Sequence, residues 1–174
     1  MRRTLPHDVS SMKMLLIVYH SMTGGTRQMA SAAAAGARSE SGVEVLLLPA
    51  SKAHPADVIR ADGFIFATPE NLAAMSGMMK DFFDRTYYAA LDKVNGRPFI
   101  TLVCAGSDGR NAAQQIERIA MGWRLKPIAD PYIVCTSAQT PEQILKPKII
   151  EPSCLAHCSD LGKTMASGLA LGIF

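Results

Sequence analysis

The feature that most constrains this chain is a short polar segment between an apolar run and an Ala-rich stretch. The apolar run covers residues 14–18, and the Ala-rich stretch follows residue 26. Between them lies a loop of the residues Ser21, Met22, Thr23, Gly24, Gly25 and Thr26. This order predicts a strand, a tight loop and a helix. Because the first N–H groups of a helix have no intrahelical acceptor, such a loop is suited to bind a phosphate.

The composition of this loop indicates an anion-binding site rather than a simple helix cap. Ser21, Thr23 and Thr26 each offer a hydroxyl, and the two glycines let the backbone approach a ligand closely. The loop contains no Lys, so hydrogen bonds and the helix dipole, rather than a cationic side chain, would hold the phosphate. The alternative is a Ser/Thr cap of the kind found at many strand–helix junctions. One cap needs one hydroxyl, and the surplus here favours phosphate binding.

The rest of the chain predicts the architecture around this loop. Short apolar runs alternate with segments of helical periodicity, and they predict strands at 13–19, 43–48, 63–67, 97–105 and 128–135. Continuous apolar strands alternating with helices are typical of a parallel sheet that is covered on both faces. We therefore predict an α/β fold, a doubly wound five-stranded parallel sheet of order 2-1-3-4-5 with helices on both faces.

Length and charge limit the classes of function. The chain has 174 residues and a formal net charge of +3, and its basic residues do not form a patch with aromatic side chains. We therefore predict one domain over residues 13–174, a tail over residues 1–12, and no nucleic-acid partner. The apolar runs are too short to span a membrane.

The cysteines indicate a reduced, cytoplasmic setting. Cys104 and Cys135 lie in strand-like runs and are expected to be buried. Cys154, His157 and Cys158 allow a metal site as one reading and the start of a helix as the other. A structural zinc needs four ligands and the chain has no second cluster, so we predict no metal.

Ligands of an open parallel sheet bind beyond the carboxyl ends of its strands, near the point where the strand order reverses. The loops after the third and fourth predicted strands are therefore the other candidates. Residues 68–77 include small residues against which a flat aromatic ligand could lie, with Asn71 at its polar edge. The alternative is an ordinary strand-to-helix connection in which Ser76 caps the next helix. In residues 105–111, Gly106 and Gly109 permit a sharp turn with N–H groups facing a ligand; the alternative is an ordinary Asp108-Gly109 turn.

Several other kinds of site are not supported. The chain has neither a P-loop nor a Gly-x-Gly-x-x-Gly sequence after its first strand. That strand ends in Tyr19-His20, without the acidic pair of a phospho-acceptor domain, and a lone histidine there is more often structural. Ala105 stands where a hydrolase elbow around Ser107 would need a glycine.

These segments resemble a known family. Residues 21–26 match the flavodoxin phosphate fingerprint, Ser/Thr-x-Thr-Gly-x-Thr, at every position. Residues 68–77 and 79–86 are similar to flavodoxin-like NAD(P)H-dependent oxidoreductases, which include the NADPH-dependent FMN reductases and the quinone reductases called tryptophan-repressor-binding proteins. Residues 105–109 and 161–172 are similar as well, so the resemblance extends over about residues 13–172.

The resemblance implies a flavodoxin-like fold that binds one FMN without a covalent bond. By position, Ser21 to Thr26 would bind its phosphate. The residues expected to line its ring system are Pro69, Glu70, Asn71, Leu72, Ala73, Ala74 and Met75. The residues expected at its pyrimidine side are Ala105, Gly106, Ser107, Asp108 and Gly109.

The same resemblance implies an enzyme that passes electrons from NAD(P)H to a quinone or a similar small acceptor, as a homodimer or homotetramer. The flavin would supply the chemistry, so no side chain need be catalytic. The alternative is a flavodoxin-type electron carrier or FMN-binding module without NAD(P)H turnover. A carrier needs a strongly charged docking face, and the near-neutral balance of this chain disfavours it.

Overall fold

A computed structural model describes residues 12–174, and the tail predicted over residues 1–12 lies almost wholly outside this range. The chain alternates strands and helices along most of its length. The strands are β1 (Lys13–Tyr19), β2 (Val43–Pro49), β3 (Gly63–Asn71), β4 (Ala74–Met75), β5 (Pro98–Ala105), β6 (Lys126–Pro127) and β7 (Tyr132–Cys135). The helices are α1 (Gly25–Arg38), α2 (Pro55–Arg60), α3 (Gly77–Ala90), α4 (Arg110–Gly122), α5 (Pro141–Leu145) and α6 (Pro152–Leu171).

The strand order confirms the predicted doubly wound sheet. It runs β2-β1-β3-β5, and β6 and β7 both pair with the outer side of β5. All these pairs are parallel. The sheet therefore has the predicted order 2-1-3-4-5, with β6 and β7 together in the fifth position.

The fifth strand is divided, unlike the single strand predicted over residues 128–135. Phe99 is opposite Pro127, whereas Leu102 is opposite Tyr132, so residues 128–131 face only two residues of β5. The extra residues form a bulge that includes Pro131, whose missing N–H cannot join the ladder. Cys135 at the end of β7 is exposed, so its predicted burial is wrong; β7 is an edge strand and has no neighbour on its outer side among the described residues.

The loop predicted over residues 68–77 is largely a β-hairpin. Strand β3 continues past Pro69 and pairs antiparallel with β4, Asn71 opposite Ala74. The two-residue turn consists of Leu72 and Ala73, with φ of 50° and 59°. Proline ends a strand only where its missing N–H is needed, and here the ladder with β5 continues through it.

Helices cover both faces of the sheet, as predicted. One face packs aromatic side chains of β3 and β5 against α3 and α4; its largest buried members are Phe64, Phe66, Phe82, Phe83, Phe99 and Trp123. The other face packs aliphatic residues of β1, β3 and β5 against α1 and α6. Within residues 12–174, no helix is both long enough and apolar enough to cross a membrane.

Helix α1 lies unusually close to α6. A Cβ on Gly36 would overlap the carbonyl oxygen of Ser159, and a Cβ on Gly162 would overlap the carbonyl oxygen of Ala33. The buried side chains that α1 presents here are mostly alanines. Small residues on both helices therefore permit backbone-to-backbone contact, which holds α1 firmly on the sheet.

The replacement Gly162→Ala tests this contact. Because the new methyl group must displace the backbone of α1, the free energy of unfolding should fall by about 1–3 kcal/mol in a denaturant titration. Gly77→Ala is the matched control, since nothing lies within 4 Å of a Cβ at that position. The control should be neutral or up to about 1 kcal/mol more stable; equal effects of the two substitutions would contradict the close contact.

Candidate functional site

A cleft of about 460 Å³ opens at the carboxyl edge of the sheet, where β1, β3 and β5 end. It lies at the predicted switch point between β1 and β3. The predicted residues that line it are Ser21, Met22, Thr23, Gly25, Thr26, Pro69, Glu70, Asn71, Leu72, Ala73, Ala105, Gly106 and Ser107. The predicted residues that do not line it are Gly24, Ala74, Met75, Asp108 and Gly109. Three separate loops of the chain thus meet at one cleft.

The loop between β1 and α1 presents backbone donors at the helix start. Gly24 caps α1 with φ of 90°, a conformation that glycine adopts readily. The first bond of the helix runs from the Gln28 N–H to the Gly24 carbonyl. The N–H groups of Gly25, Thr26 and Arg27 therefore have no intrahelical acceptor. The Gly24 N–H itself donates to Ser21 Oγ at 3.1 Å, so Ser21 closes the loop as well as lining the cleft.

Thr26 is the most informative side chain of the cleft. It is 1% exposed, and its Oγ1 has no hydrogen-bond partner among the described residues. A buried hydroxyl without a partner costs about 1–3 kcal/mol. Its position on the cleft wall, in the first turn of α1, indicates that a bound ligand completes its hydrogen bonding.

Gly25 allows the helix start to lie directly on the end of β5. A Cβ at this position would be 2.6 Å from Cys104 Sγ. Cys104 is buried, as predicted, and burial raises the pKa of its thiol to about 11. The thiol is therefore neutral at neutral pH and acts as a packing group beneath the loop.

The β3–β4 hairpin forms a second wall of the cleft. Leu72 at its turn is fully exposed, and Pro69, Glu70 and Asn71 line the cleft beside it. The hairpin is tied to α4, because Asn111 Nδ2 donates to the Ala73 carbonyl and the Met75 N–H donates to Gln115 Oε1. Positive φ at Leu72 and Ala73 is a strained conformation for residues with side chains, and such strain is frequent at functional sites.

The loop between β5 and α4 forms the third wall. Gly109 caps the start of α4 with φ of 82°, and a Cβ there would be 2.6 Å from Ile133 Cγ2. A Cβ on Gly106 would be 2.8 Å from the Ala138 carbonyl oxygen. These glycines hold the loop tightly against β7 and the chain that follows it. The Arg110 Nε donates outward to Asp108 at 2.6 Å.

Sequence reasoning missed a fourth wall, formed after β7. The cleft residues that it did not predict are Cys104, Thr136, Ala138, Ile144 and Lys148. The Lys148 N–H donates to the Thr23 carbonyl at 2.9 Å, and Gln28 Nε2 donates to the Lys148 carbonyl at 2.8 Å. This segment could have been found, because it leaves the fifth strand at the same carboxyl edge as the other loops.

The loop itself contains no Lys, as the sequence shows, but Lys148 lies beside it and lines the same cleft. Its ammonium donates to the carbonyls of Gln143, Ile144 and Lys146, at 2.6, 2.9 and 2.6 Å. The charge is therefore engaged at the end of α5, although the residue lines the cleft. Glu70 is the other charged residue of the cleft, so the lining is close to neutral.

The segment Cys154, His157 and Cys158 lies on α6, away from the cleft. Cys158 is buried, which raises the pKa of its thiol to about 12, and the His157 ring packs on the Tyr132 ring with centroids 4.4 Å apart. Among residues 12–174 no three or more His, Cys, Asp or Glu side chains are placed to share a metal ion. These side chains therefore take part in packing between α6 and β7.

Comparison with known protein families identifies the family to which this chain belongs. Residues 49–140, just over half of the chain, match the family model described as NADPH-dependent FMN reductase. The chain belongs to this family. The matched residues include the hairpin and the β5–α4 loop, and the resemblance inferred from the sequence is confirmed.

Individual relatives of this member of the FMN reductase family match it over only part of their own length. A protein called NAD(P)H dehydrogenase (quinone), from Acidithiobacillus ferrooxidans, is 39% identical over 95 residues, 43% of this chain and 48% of that protein. A protein called flavodoxin, from Aquifex aeolicus, is 37% identical over 93 residues, 53% of this chain and 48% of that protein. The chain thus spans about half the length of the curated relatives that it matches.

Solved structures agree on the fold. A flavodoxin from the domain Archaea superposes with a TM-score of 0.73 at 20% identity, covering 90% of this chain and 98% of the other. At this level of identity the likeness concerns the fold alone. The family member has a flavodoxin-like fold.

A double-mutant cycle at Gly25 and Cys104 tests the contact beneath the helix start. Gly25→Ala should lower the free energy of unfolding by about 1–3 kcal/mol, because its methyl group meets the Cys104 sulfur. In a Cys104→Ala background the same change should cost measurably less, since the sulfur is gone. Strictly additive effects in a denaturant titration would contradict the proximity of the two residues.

Proposed function

We propose that this protein is an FMN-dependent oxidoreductase that passes electrons from NAD(P)H to a quinone or a similar small acceptor. The observation that carries the proposal is the buried hydroxyl of Thr26, which has no partner within residues 12–174 and lies beside the free N–H groups of α1. The family membership and the name of the quinone dehydrogenase relative support the choice of reaction.

The fit of a phosphate to this loop rests on the donors that the loop presents. The N–H groups at the start of α1 and the hydroxyls of Thr23 and Thr26 are all neutral donors, and the helix dipole adds a partial positive charge at the same place. Such an arrangement binds a phosphate without a cationic side chain. Hydrogen bonds to a charged acceptor contribute about 1.5–3 kcal/mol each, so the set is sufficient for tight binding.

The walls of the cleft suit a flat ring system. The hairpin and the β5–α4 loop contribute mostly small or apolar residues, with polar backbone groups at Gly106 and the Asn71 side chain at the edge. Cys104 closes the floor with a neutral thiol. We infer that the ring of FMN lies between these loops. The predicted residues that line the cleft would contact FMN, and Gly24, Ala74, Met75, Asp108 and Gly109 would support the loops from outside the cleft.

The residues of this chain bind and orient, and they need not take part in the reaction chemically. Bound FMN supplies the capacity to accept and pass on electrons. Asn111 and Gln115 hold the hairpin against α4 and thereby fix one wall of the cleft. Leu72, fully exposed at the mouth, offers an apolar contact to a nicotinamide or a quinone ring.

A flavodoxin-type electron carrier is the second candidate, since one relative carries the name flavodoxin. A carrier that docks to partner proteins needs a charged face, whereas this chain has a net charge of +3 and a near-neutral cleft. The enzyme is therefore the better supported of the two.

Paired substitutions test the role of Thr26. Thr26→Val keeps the shape and removes the hydroxyl, so FMN affinity should fall about 10- to 100-fold in a fluorescence titration, while the stability of the FMN-free protein does not fall. Thr101→Val is the matched control, because the buried Thr101 hydroxyl also has no partner in the part of the chain that the structure describes, but it does not line the cleft. A similar change of affinity in both variants would refute the assignment.

Turnover tests the reaction itself. The protein, saturated with FMN, should oxidise NADPH or NADH with a benzoquinone as acceptor, followed as the loss of nicotinamide absorbance at steady state. Tight FMN binding without turnover on either nicotinamide would favour the electron carrier. Failure to bind FMN at all would remove the redox function altogether.

A further inference from the structure

Gln28, near the start of α1, connects two walls of the cleft although it does not line the cleft itself. Its Nε2 donates to the Gly24 carbonyl at 3.1 Å and to the Lys148 carbonyl at 2.8 Å. Its Oε1 accepts from the Ile150 N–H at 3.2 Å. One half-buried amide thus uses its donors and its acceptor together, and it ties the β1–α1 loop to the segment between α5 and α6.

The segment that Gln28 holds lies directly against the loop. The Lys148 N–H donates to the Thr23 carbonyl at 2.9 Å. Lys148 Cβ and Ile150 Cδ1 are 3.4 and 3.5 Å from the place where a Cβ on Gly25 would be, and Ile150 is buried. Residues 148–150 therefore pack on the loop from outside the cleft, and a displacement of either segment must be felt by the other.

This contact fixes the peptide between Thr23 and Gly24. In a planar trans peptide the C=O and N–H groups point in opposite directions. The Thr23 C=O of this peptide accepts from Lys148, and its N–H, on Gly24, donates to Ser21 Oγ at 3.1 Å. Both ends are therefore held, and the peptide cannot rotate without breaking a hydrogen bond.

Gln28 fixes the next peptide, between Gly24 and Gly25. The Gly24 carbonyl accepts from the backbone N–H of Gln28 at 3.1 Å and also from Nε2 of the same residue at 3.1 Å. The opposite end of this peptide is the Gly25 N–H, which has no intrahelical acceptor and belongs to a residue that lines the cleft. Because a Gly-Gly pair resists rotation only weakly, the second bond to the carbonyl helps to hold the Gly25 N–H in one direction.

On the basis of the proposed function, we propose that Gln28 is a positioning residue for the flavin phosphate. It acts through Gly24 and Gly25, by aiming the Gly25 N–H at the phosphate, and it does not touch the flavin itself. Through Lys148 and Ile150 it also makes the position of the loop depend on the segment between α5 and α6. Binding of the phosphate and docking of residues 148–150 are therefore coupled.

The replacement Gln28→Met tests the effect on the phosphate, since it keeps the length of the side chain and removes its hydrogen bonds. FMN and riboflavin are titrated by flavin fluorescence. The ratio of the riboflavin to the FMN dissociation constant should fall about 10-fold, because a misdirected N–H weakens a hydrogen bond that only the charged phosphate accepts. A merely structural tether would lower the stability or weaken both flavins equally, so an unchanged ratio would overturn the proposal.

Two glutamines of α4 serve as controls. Gln114 is exposed, and Gln114→Met should leave both affinities unchanged. Gln115 holds the β3–β4 hairpin through the Met75 N–H, so Gln115→Met should weaken FMN and riboflavin by a similar factor and preserve their ratio. Circular dichroism verifies that each variant is folded. A fall of the ratio in Gln115→Met as large as in Gln28→Met would show that the effect is not specific to the phosphate loop.

Amide hydrogen exchange tests the coupling in the unmodified protein. Because coupling between two sites is reciprocal, the phosphate should stabilise the docked segment by as much as docking favours the phosphate. FMN should therefore slow exchange of the Ile150 N–H more than riboflavin does, with each flavin at the same multiple of its dissociation constant. Ile150 does not line the cleft, so direct contact with the flavin does not account for the difference. Equal slowing by the two flavins would contradict the coupling.

The outcomes separate this inference from the proposed function. If the unmodified protein binds FMN and riboflavin equally, the phosphate site fails and the role of Gln28 fails with it. If the unmodified protein prefers FMN and Gln28→Met keeps the whole preference, the phosphate site stands and only the role of Gln28 is wrong.

Discussion

The close contact of α1 with its surroundings is the constraint on which the site depends. Gly25 lies directly over Cys104 at one end of the helix, and Gly36 and Gly162 bring α1 and α6 into backbone contact further along. A helix held this closely cannot tilt or slide, so its first N–H groups stay at the carboxyl edge of the sheet. The position of the donors is therefore determined by packing along the whole helix, at Gly25 and Cys104 in the cleft and at Gly36 and Gly162 further along.

Neutral donors on a fixed helix also explain the charge balance of the cleft. A cationic side chain would bind a phosphate strongly but would raise the affinity for many anions. Here the Lys148 ammonium donates to carbonyls at the end of α5 and is not available to a ligand. The Lys148 backbone N–H donates to Thr23 and thereby ties the segment after β7 to the loop.

The elements that the sequence predicted well are those with strong local signals. The apolar run of β1 predicted its bounds without error, and Ser76 caps α3 as the alternative reading of its loop expected. The hairpin was missed because Leu72 and Ala73 adopt positive φ without the Asn or Gly that normally marks such a turn. The fourth wall was missed because the contact between Lys148 and Thr23 joins distant parts of the chain, and no local pattern reports it. Cys135 was misplaced because an edge strand and a central strand have similar apolar sequences.

The central claim is that the start of α1 binds the phosphate of a flavin nucleotide. Its most direct test compares the affinity of the protein for FMN and for riboflavin, which differ only in that phosphate. The account predicts that riboflavin binds more than about 100-fold more weakly, since several charge-assisted hydrogen bonds are lost together. Similar dissociation constants for the two flavins would contradict it.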